Sequence, residues 1–496
     1  MAQTTISGKG VKVVTMISDT MSQPTKEMRD VMYSAQVGDD ERGMDDNFKR
    51  LEDKVAKLTG KEASIYMPSG MMSNLISVMV HCPLRNQEIL LGDESDLEHC
   101  EQASFAQVAG RSHRTVKTNE NGTLDMDDLE DKIRPPSNNH FPVSRLICIE
   151  NTNNRCGGVV LPLEFLRKLK DFATDKGLLV HLDGARVWNA VVHLGIQLAD
   201  IAKYADSISF CIYKGLAAPA GSMLSGTKEF IEQARYIRKM LGGAQRKSGF
   251  FATAGIFAID TVHERLQEDH KHAKSLAEVI VRIVCIVHIV LIVHYSRFKG
   301  FNQNMLIITN EQLQLVQTWY KLIHTADLRG VMESRRLASS EIRVRFPYEI
   351  RGSFYYLLIN GPLYLFPCEP INKTDHKYIY VDMTHMHTNT VSVRFREHGS
   401  IKPKDFHERL SMNFIYKYEI CVHFGHMSSC SFMFPNQFQV TESEKKELGD
   451  DIIILRGRCH GKGRYQLNLC NINNDEDVAL AQKKIQYVLK NMINLN

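Results

Sequence analysis

No CxxC pair and no regular framework organises the eleven cysteines of this 496-residue chain, which argues against a disulfide scaffold and for reduced thiols in a cytosol-like compartment. The start, Met1-Ala2-Gln3-Thr4-Thr5-Ile6, lacks both a basic n-region and an apolar h-region, so no secretion signal is expected and the expected location is cytoplasmic. Also missing is an uninterrupted apolar run of the roughly 20 residues that a membrane-spanning helix requires. The nearest approach, Val279 to Val293, holds Arg282 and His288, and its Val/Ile content fits a buried strand or misplaced sequence. An excess of one charge is lacking as well. The 61 basic and 57 acidic residues nearly cancel to +4, which gives no global reason to expect nucleic acid or an anionic membrane as partner. No internal repeat is visible.

Apolar side chains are plentiful, at 43% of a length that exceeds one compact core, so two or more domains are expected. From Asp45 to about His270, amphipathic helical patterns alternate with short apolar strands, the signature of βαβ units on a mostly parallel sheet. The spacing predicts helices over Phe48–Thr59, Leu163–Asp175 and Ala199–Tyr204, and another opened by Ser69. Strands are expected at Ala63–Met67, Ile89–Leu91 and Arg145–Ile149, and in the runs that begin at Leu178 and Ser207. Between about Val279 and His385 neither period is clear. Pattern returns with a strand at Thr388–Phe395 and an amphipathic helix at Asp477–Met492, with Val478, Ala481, Ile485, Val488 and Leu489 inward. These suit a smaller α+β domain closing over a site.

Two segments carry the chemistry. Leu178-Leu179-Val180-His181-Leu182-Asp183-Gly184-Ala185-Arg186 and Ser209-Phe210-Cys211-Ile212-Tyr213-Lys214-Gly215 each read as an apolar strand that ends in a charged residue. Ligands of such sheets collect beyond the carboxyl ends of the strands, so a carboxylate and an amine come to one place. A pyridoxal phosphate site needs that pair: the lysine forms a Schiff base with the aldehyde, and the carboxylate keeps the pyridine nitrogen protonated. Gly184 permits a tight turn, and Arg186 could bind a carboxylate bidentately. Each element alone also has a plainer reading, Asp183 as a helix cap, Arg186 as a surface residue and Lys214 as a solubilising strand end. In Met67-Pro68-Ser69-Gly70-Met71 a Ser-Gly turn opens a helix whose free N–H groups point at an anion, or Ser69 is an ordinary N-cap. The cluster Arg238 to Arg246 is a solvated face or a loop carrying Arg246 to a phosphate.

Taken in order, Ser18-Asp19-Thr20, Gly38-Asp39-Asp40, Leu51-Glu52, Pro68-Ser69-Gly70, Glu150-Asn151-Thr152, His181-Leu182-Asp183-Gly184-Ala185-Arg186, Lys214-Gly215, Pro219, Gly221-Ser222, Arg238-Lys239, Gly242-Gly243 and Arg246 closely resemble the low-specificity L-threonine aldolases. The resemblance runs from about residue 15 to 278 and resumes more weakly from about Thr388. It implies fold type I of the pyridoxal phosphate enzymes, an α/β fold. A large, mostly parallel-sheet domain would cover residues 15–278, an atypical insertion 279–385, and a small C-terminal α+β domain 386–496, with a second unmatched stretch near 413–439. It also implies retro-aldol cleavage of L-threonine and L-allo-threonine to glycine and acetaldehyde, with pyridoxal 5'-phosphate as cofactor and no metal. Lys214 would hold the cofactor, Asp183 would pair with its ring nitrogen, and Arg186 would contact the ring hydroxyl and the substrate carboxylate. Ser69, Gly70 and the Met71 amide would bind the phosphate. Arg246 would reach the phosphate of a neighbouring subunit in a homodimer or homotetramer with shared sites, and Ser18 and Arg464 would bind the substrate carboxylate.

The chain departs from the family pattern near the site. Asp96 and Asn153 stand where histidines are expected, Met71 replaces a threonine, Tyr213 a serine and Arg42 an aromatic residue. The Schiff-base parts are kept and the parts that assist proton transfer are changed. Either Asp96 or His99 takes over the proton relay, or the chain is a cofactor-binding homologue with impaired cleavage; another fold type I lyase or aminotransferase is a further alternative. The two unmatched stretches lack periodicity and read as translated intron.

Overall fold

The computed structural model describes residues 11–135, 137–280, 379–381, 388, 390–395, 452–456, 458–460, 464–470 and 473–494. Most of the expected insertion 279–385 and all of the stretch near 413–439 lie outside them. The helix Asp46–Thr59 shows how local sequence builds the large layer. The Asp45 carboxylate caps it by accepting from the amides of Asn47 and Phe48, and Gly60 closes it in the left-handed region, at a φ of 66°. Phe48, Leu51 and Val55 share one buried face, and each such burial contributes roughly 1.5–3 kcal/mol.

Strand β1 (Val11–Thr15) runs parallel to the strand Ile452–Arg456 in a separate pair. The main sheet has seven strands, β2 (Ala63–Met67), β3 (Gln87–Gly92), β4 (Ser112–Val116), β5 (Val143–Glu150), β6 (Leu179–Asp183), β7 (Ser207–Cys211) and β8 (Ser222–Gly226), in the order β2-β8-β7-β6-β5-β3-β4. Only β8 runs against its neighbours. Successive residues of β5 feed different cores: Ile147 and Ile149 pack with the helix Asp46–Thr59 side, Leu146 and Cys148 with the helix Gly70–His81 side. Both faces are therefore covered, which is why the strands read as nearly continuous apolar runs. The mostly parallel α/β sheet expected from the sequence is the one found.

Lys214 does not end a strand. The β7 ladder stops at Cys211, paired with Ser222, and the backbone then loops so that Ala218 donates to the Ile212 carbonyl (2.9 Å) and Ala217 to that of Lys214 (2.8 Å). Apolar Ile212 and Tyr213 prolong the strand-like pattern beyond the last ladder bond. Val279 and Ile280, where a buried strand or misplaced sequence is expected, lie in a helix that runs from residue 266 to the last described residue of this part, with Ile280 buried. No helix among the described residues is long and apolar enough to cross a membrane.

Thr390–Phe395 forms a four-stranded antiparallel sheet with Ile379–Val381, Arg464–Asn468 and Arg458–His460. The final helix, Asp475–Asn494, starts two residues earlier than its apolar pattern suggests, because Asn474 and Asp477 cap its first turn reciprocally, side chain to amide in each direction. Val478, Ala481 and Ile485 are buried as expected; the side chains of Val488 and Leu489 lie outside the described residues. Thr388 donates to the Gly158 carbonyl at 3.1 Å and Asn473 to that of Thr15 at 3.2 Å, joining this part to the large layer.

Gly184 opens the expected turn, its carbonyl accepting from the Val187 amide at 2.8 Å, and it is also a point of close approach. Its amide donates to the Ser209 carbonyl at 2.8 Å, and a β-carbon at this position would lie 2.5 Å from that same oxygen. Backbone cannot yield there as a flexible side chain would. Gly184→Ala is expected to destabilise the protein by about 1–3 kcal/mol in urea unfolding; an unchanged midpoint would show that β6 and β7 separate freely.

Candidate active site

Three parallel strands deliver polar residues to one edge of the sheet. Glu150 ends β5 and Asp183 ends β6, and the two are register partners, while Asp183 is also opposite Ser209 of β7. The turn after β7 brings Lys214 to this edge, where Asp183, Asp19 and Asp96 all act on its charge at a distance, without a hydrogen bond. Burial and the neighbouring Arg186 press the Lys214 amine downward, but the acidic groups around it outweigh them and leave it above its ordinary value.

Asp183 is almost fully buried. One of its oxygens accepts from the Ala185 amide at 2.9 Å, and the other from Asn74 Nδ2 at 2.9 Å. Asn74, on the helix Gly70–His81, gives its second Nδ2 hydrogen to Glu101 at 2.8 Å. Glu150 accepts from the backbone amides of Asp96 (2.9 Å) and Asn154 (2.8 Å). Burial raises all three of these acids: Asp183 above its ordinary value despite Lys214, Glu101 well above it with help from Asp183, and Glu150 well above it with help from Asp96. Burial thus favours the protonated form of Glu101 and Glu150 more than it does for an ordinary carboxyl.

Arg186 does not offer a bidentate fork to a ligand, because that fork is already engaged. Its Nε and Nη2 each donate to Asp19 at 2.9 Å, with both side chains buried. Burial alone would raise the Asp19 carboxyl, yet Arg186 and its hydrogen bonds pull it below its ordinary value. The remaining nitrogen, Nη1, is buried without a hydrogen-bond partner, 3.8 Å from Asp96 Oδ2. Asp96 itself accepts from Asn154 Nδ2 at 3.3 Å. Its burial is likewise outweighed, by Arg186 and then Lys214, so its carboxyl lies below its ordinary value.

Asp183, Arg186, Lys214 and Asp96 thus converge. Ser18 adjoins them, its hydroxyl donating to Asp19 Oδ1 at 3.3 Å. Ser69 is the N-cap of the helix Gly70–His81, accepting from the Met72 amide at 3.2 Å, with Gly70 as the first helical residue and Met71 exposed. The Tyr213 hydroxyl is the next nearest atom to Gly70, 3.8 Å from where a β-carbon would stand. His99 is not brought into the cluster: its ring bonds the Asp93 carbonyl at 2.8 Å on an exposed face. Arg246 is half exposed and ion-paired with Asp39 (2.8 Å) and Glu41 (2.6 Å). Arg464 opens its strand opposite Arg394, and its side chain lies outside the described residues.

Asp19, Asn74, Glu101 and Glu150 carry much of this geometry, although their sequence contexts suggested no role for them. Glu150 could have been found, since it ends an apolar strand as Asp183 does. Asn74 and Asp19 have no such local signal, because Asp183 and Arg186, the site residues they hold, lie more than a hundred residues away.

The Beta-eliminating lyase family model matches residues 15–291. Low-specificity L-threonine aldolase 1 of Arabidopsis thaliana is 43% identical over 269 residues, covering 54% of this chain and 75% of the relative. The low specificity L-threonine aldolase of Escherichia coli strain K12 is 39% identical over 266 residues, covering 54% of this chain and 78% of the relative. A solved structure from Exiguobacterium sp. 255-15, provisionally assigned as an aromatic amino acid beta-eliminating lyase/threonine aldolase, superimposes with a TM-score of 0.55 at 13% identity, covering 95% of this chain and 98% of that one. At that identity the likeness is one of fold.

Removing one partner of the Asp19–Arg186 pair leaves a buried charge uncompensated, so Asp19→Asn is expected to cost about 3–5 kcal/mol in urea unfolding at neutral pH. The folded Asp19 carboxyl lies below its ordinary value of 3.8, so its contribution is complete above that pH and is lost as pH falls through the lower folded value. The gap between wild type and variant should close over that acid range. A gap that stays constant there would contradict the pairing.

Proposed function

The chain belongs to the beta-eliminating lyase family, and from that premise we propose that it cleaves L-threonine and L-allo-threonine to glycine and acetaldehyde with pyridoxal 5'-phosphate as cofactor. The observation that carries this reading is the Lys214 amine set beside the buried Asp183 carboxylate at the carboxyl edge of the sheet. A second observation favours the fit: Arg186 Nη1, 3.8 Å from Asp96, is a buried donor with no hydrogen-bond partner, as a site built for a ligand oxygen would leave it. Lys214 would hold the cofactor covalently, Asp183 its ring nitrogen, and Ser69, Gly70 and the Met71 amide its phosphate. When bound, pyridoxal phosphate supplies an electron sink for the bond broken at the substrate α-carbon.

The chain's own groups divide the remaining work. Arg186, immobilised by Asp19, would present Nη1 to a substrate carboxylate oxygen or the ring hydroxyl, and Ser18 would assist from the adjoining turn. Asp96 is the carboxylate that would take the β-hydroxyl proton, because it is held toward its ionised form while burial favours the protonated form of Glu101 and Glu150. General-base help is worth on the order of 10²–10⁴ in rate and works best when the base titrates near the operating pH. Asp96 is held below the usual carboxylate range, so it is a weaker base than an imidazole in its place. That observation favours a second reading, a cofactor binder with impaired cleavage.

Three further points belong to the proposal. Arg246 would serve the phosphate of a second copy in a homodimer or homotetramer, where its half-exposed side chain would exchange its Asp39 and Glu41 partners for that phosphate. The protein works in the cytoplasm, consistent with Cys82, Cys148 and Cys211 being buried thiols. Neither nucleic acid nor membrane is a partner.

Wild-type protein incubated with pyridoxal phosphate is expected to develop a visible band that Lys214→Ala lacks, and to release acetaldehyde on addition of L-allo-threonine. A band that persists in Lys214→Ala would overturn the cofactor assignment, and a lysine-dependent band without aldehyde would select the impaired binder. The free amine is the nucleophile and Lys214 titrates above its ordinary 10.5. Capture of the cofactor, followed as the rate of band formation, should therefore accelerate by about tenfold per pH unit between pH 7 and 9. A flat profile would mean that Lys214 is already neutral.

A further inference from the structure

Beneath Asp183 lies a buried line of polar groups that the proposed chemistry does not use. Asn74, His181, Ser207 and Ser209 are all essentially inaccessible, and His81 nearly so. His81 Nε2 is 2.7 Å from Ser207 Oγ, which is 2.8 Å from His181 Nδ1, and His181 Nε2 is 3.0 Å from Asn74 Oδ1. Ser209 Oγ donates to the same Oδ1 at 3.1 Å. The far side of the amide, Nδ2, meets Asp183 and Glu101.

One proton arrangement satisfies every link. The Asp183 carboxylate can only accept, so Nδ2 must face it and Oδ1 must face His181. Oδ1 then needs a donor, which makes His181 the Nε2–H tautomer and leaves its Nδ1 to accept from the Ser207 hydroxyl. Ser207 in turn accepts from His81 Nε2–H. Burial pushes His81 down to about 4 and His181 down to about 3, so both rings are neutral and neither tautomer is blurred by a second proton.

We propose that Asn74 is a positioning residue for Asp183, its amide locked by the His81–Ser207–His181 line so that one Nδ2 hydrogen always reaches the carboxylate and the other reaches Glu101. This rests on the pyridoxal phosphate reading. Other titratable groups that act on Asp183 are Lys214 after β7, Asp96, Glu150 at the end of β5, and the thiols Cys148 and Cys211. Among them Lys214 is the cation that favours the ionised form of Asp183, and capture of the cofactor consumes that amine. The Asn74 and Ala185 donors are then the neutral groups that keep Asp183 ionised and fixed in rotamer. With the cofactor bound, an ionised Asp183 would keep its ring nitrogen protonated, and that positive charge would lower the pH at which the nitrogen of Lys214 loses its proton.

The readout is the pH midpoint of the visible band of protein reconstituted with pyridoxal phosphate. Asn74→Leu removes both donors at similar volume and is expected to move the midpoint upward by about one unit or more. Ser207→Ala breaks the line two links away, deletes a single oxygen, and is expected to move it upward by a smaller amount. A merely structural role would lower stability and leave both midpoints where they are. An unchanged midpoint in folded Asn74→Leu overturns the proposal, and if that variant does not fold, an unchanged midpoint in Ser207→Ala does the same. Either result leaves the cofactor reading standing. The absence of any Lys214-dependent band in wild type would overturn both.

Discussion

The bidentate contact between Asp19 and Arg186 is the interaction on which the site depends. Five carboxyl groups, Asp19, Asp96, Glu101, Glu150 and Asp183, are gathered in one buried region with Lys214 and Arg186. Burial opposes every charge there, and each surviving charge needs a partner at short range. Arg186 provides one by binding Asp19 through two nitrogens, and its third nitrogen keeps Asp96 below its ordinary value. At Glu101 and Glu150 burial and the neighbouring acids Asp183 and Asp96 outweigh such help, and the protonated form is favoured. The region thus separates into acids held toward the charged form and acids held toward the protonated form.

The sheet converts that electrostatic pattern into geometry. Register places Glu150 beside Asp183 and Asp183 beside Ser209, so two acids and the backbone next to Lys214 are fixed by ladder bonds. Gly184 lets β6 and β7 close to within contact of the Ser209 carbonyl. Helix Gly70–His81 then contributes at both ends, with Ser69 as its N-cap, Gly70 as its first residue and His81 in its last turn. Between those ends Asn74 reaches the underside of Asp183. One helix therefore runs from the Ser69 turn to the buried hydrogen-bond line.

Much of this was legible in the sequence. An apolar run that stops at a charge marked Asp183, since a buried strand must end where its polar groups can be used, and the alternation of helical and strand periods marked the parallel sheet. Lys214 was found for a partly mistaken reason, because Ile212 and Tyr213 extend the apolar pattern past the last ladder bond at Cys211. The partnership of Arg186 was not legible: an arginine three residues beyond an aspartate suggests a ligand fork, and its actual partner, Asp19, lies 167 residues away. Asn74 is similarly silent, as one polar residue in a helix does not reveal that both faces of its amide are engaged. His99 looked as suitable as Asp96 on sequence, and only the direction of its ring toward the Asp93 carbonyl separates them.

The central claim is that this buried edge was built around a Schiff-base lysine. Borohydride reduction of the protein after incubation with pyridoxal phosphate, followed by digestion and peptide mass analysis, tests it most directly. The account predicts one phosphopyridoxyl group per chain, carried by the peptide that contains Lys214. Label spread over exposed lysines, with Lys214 unmodified, would contradict it.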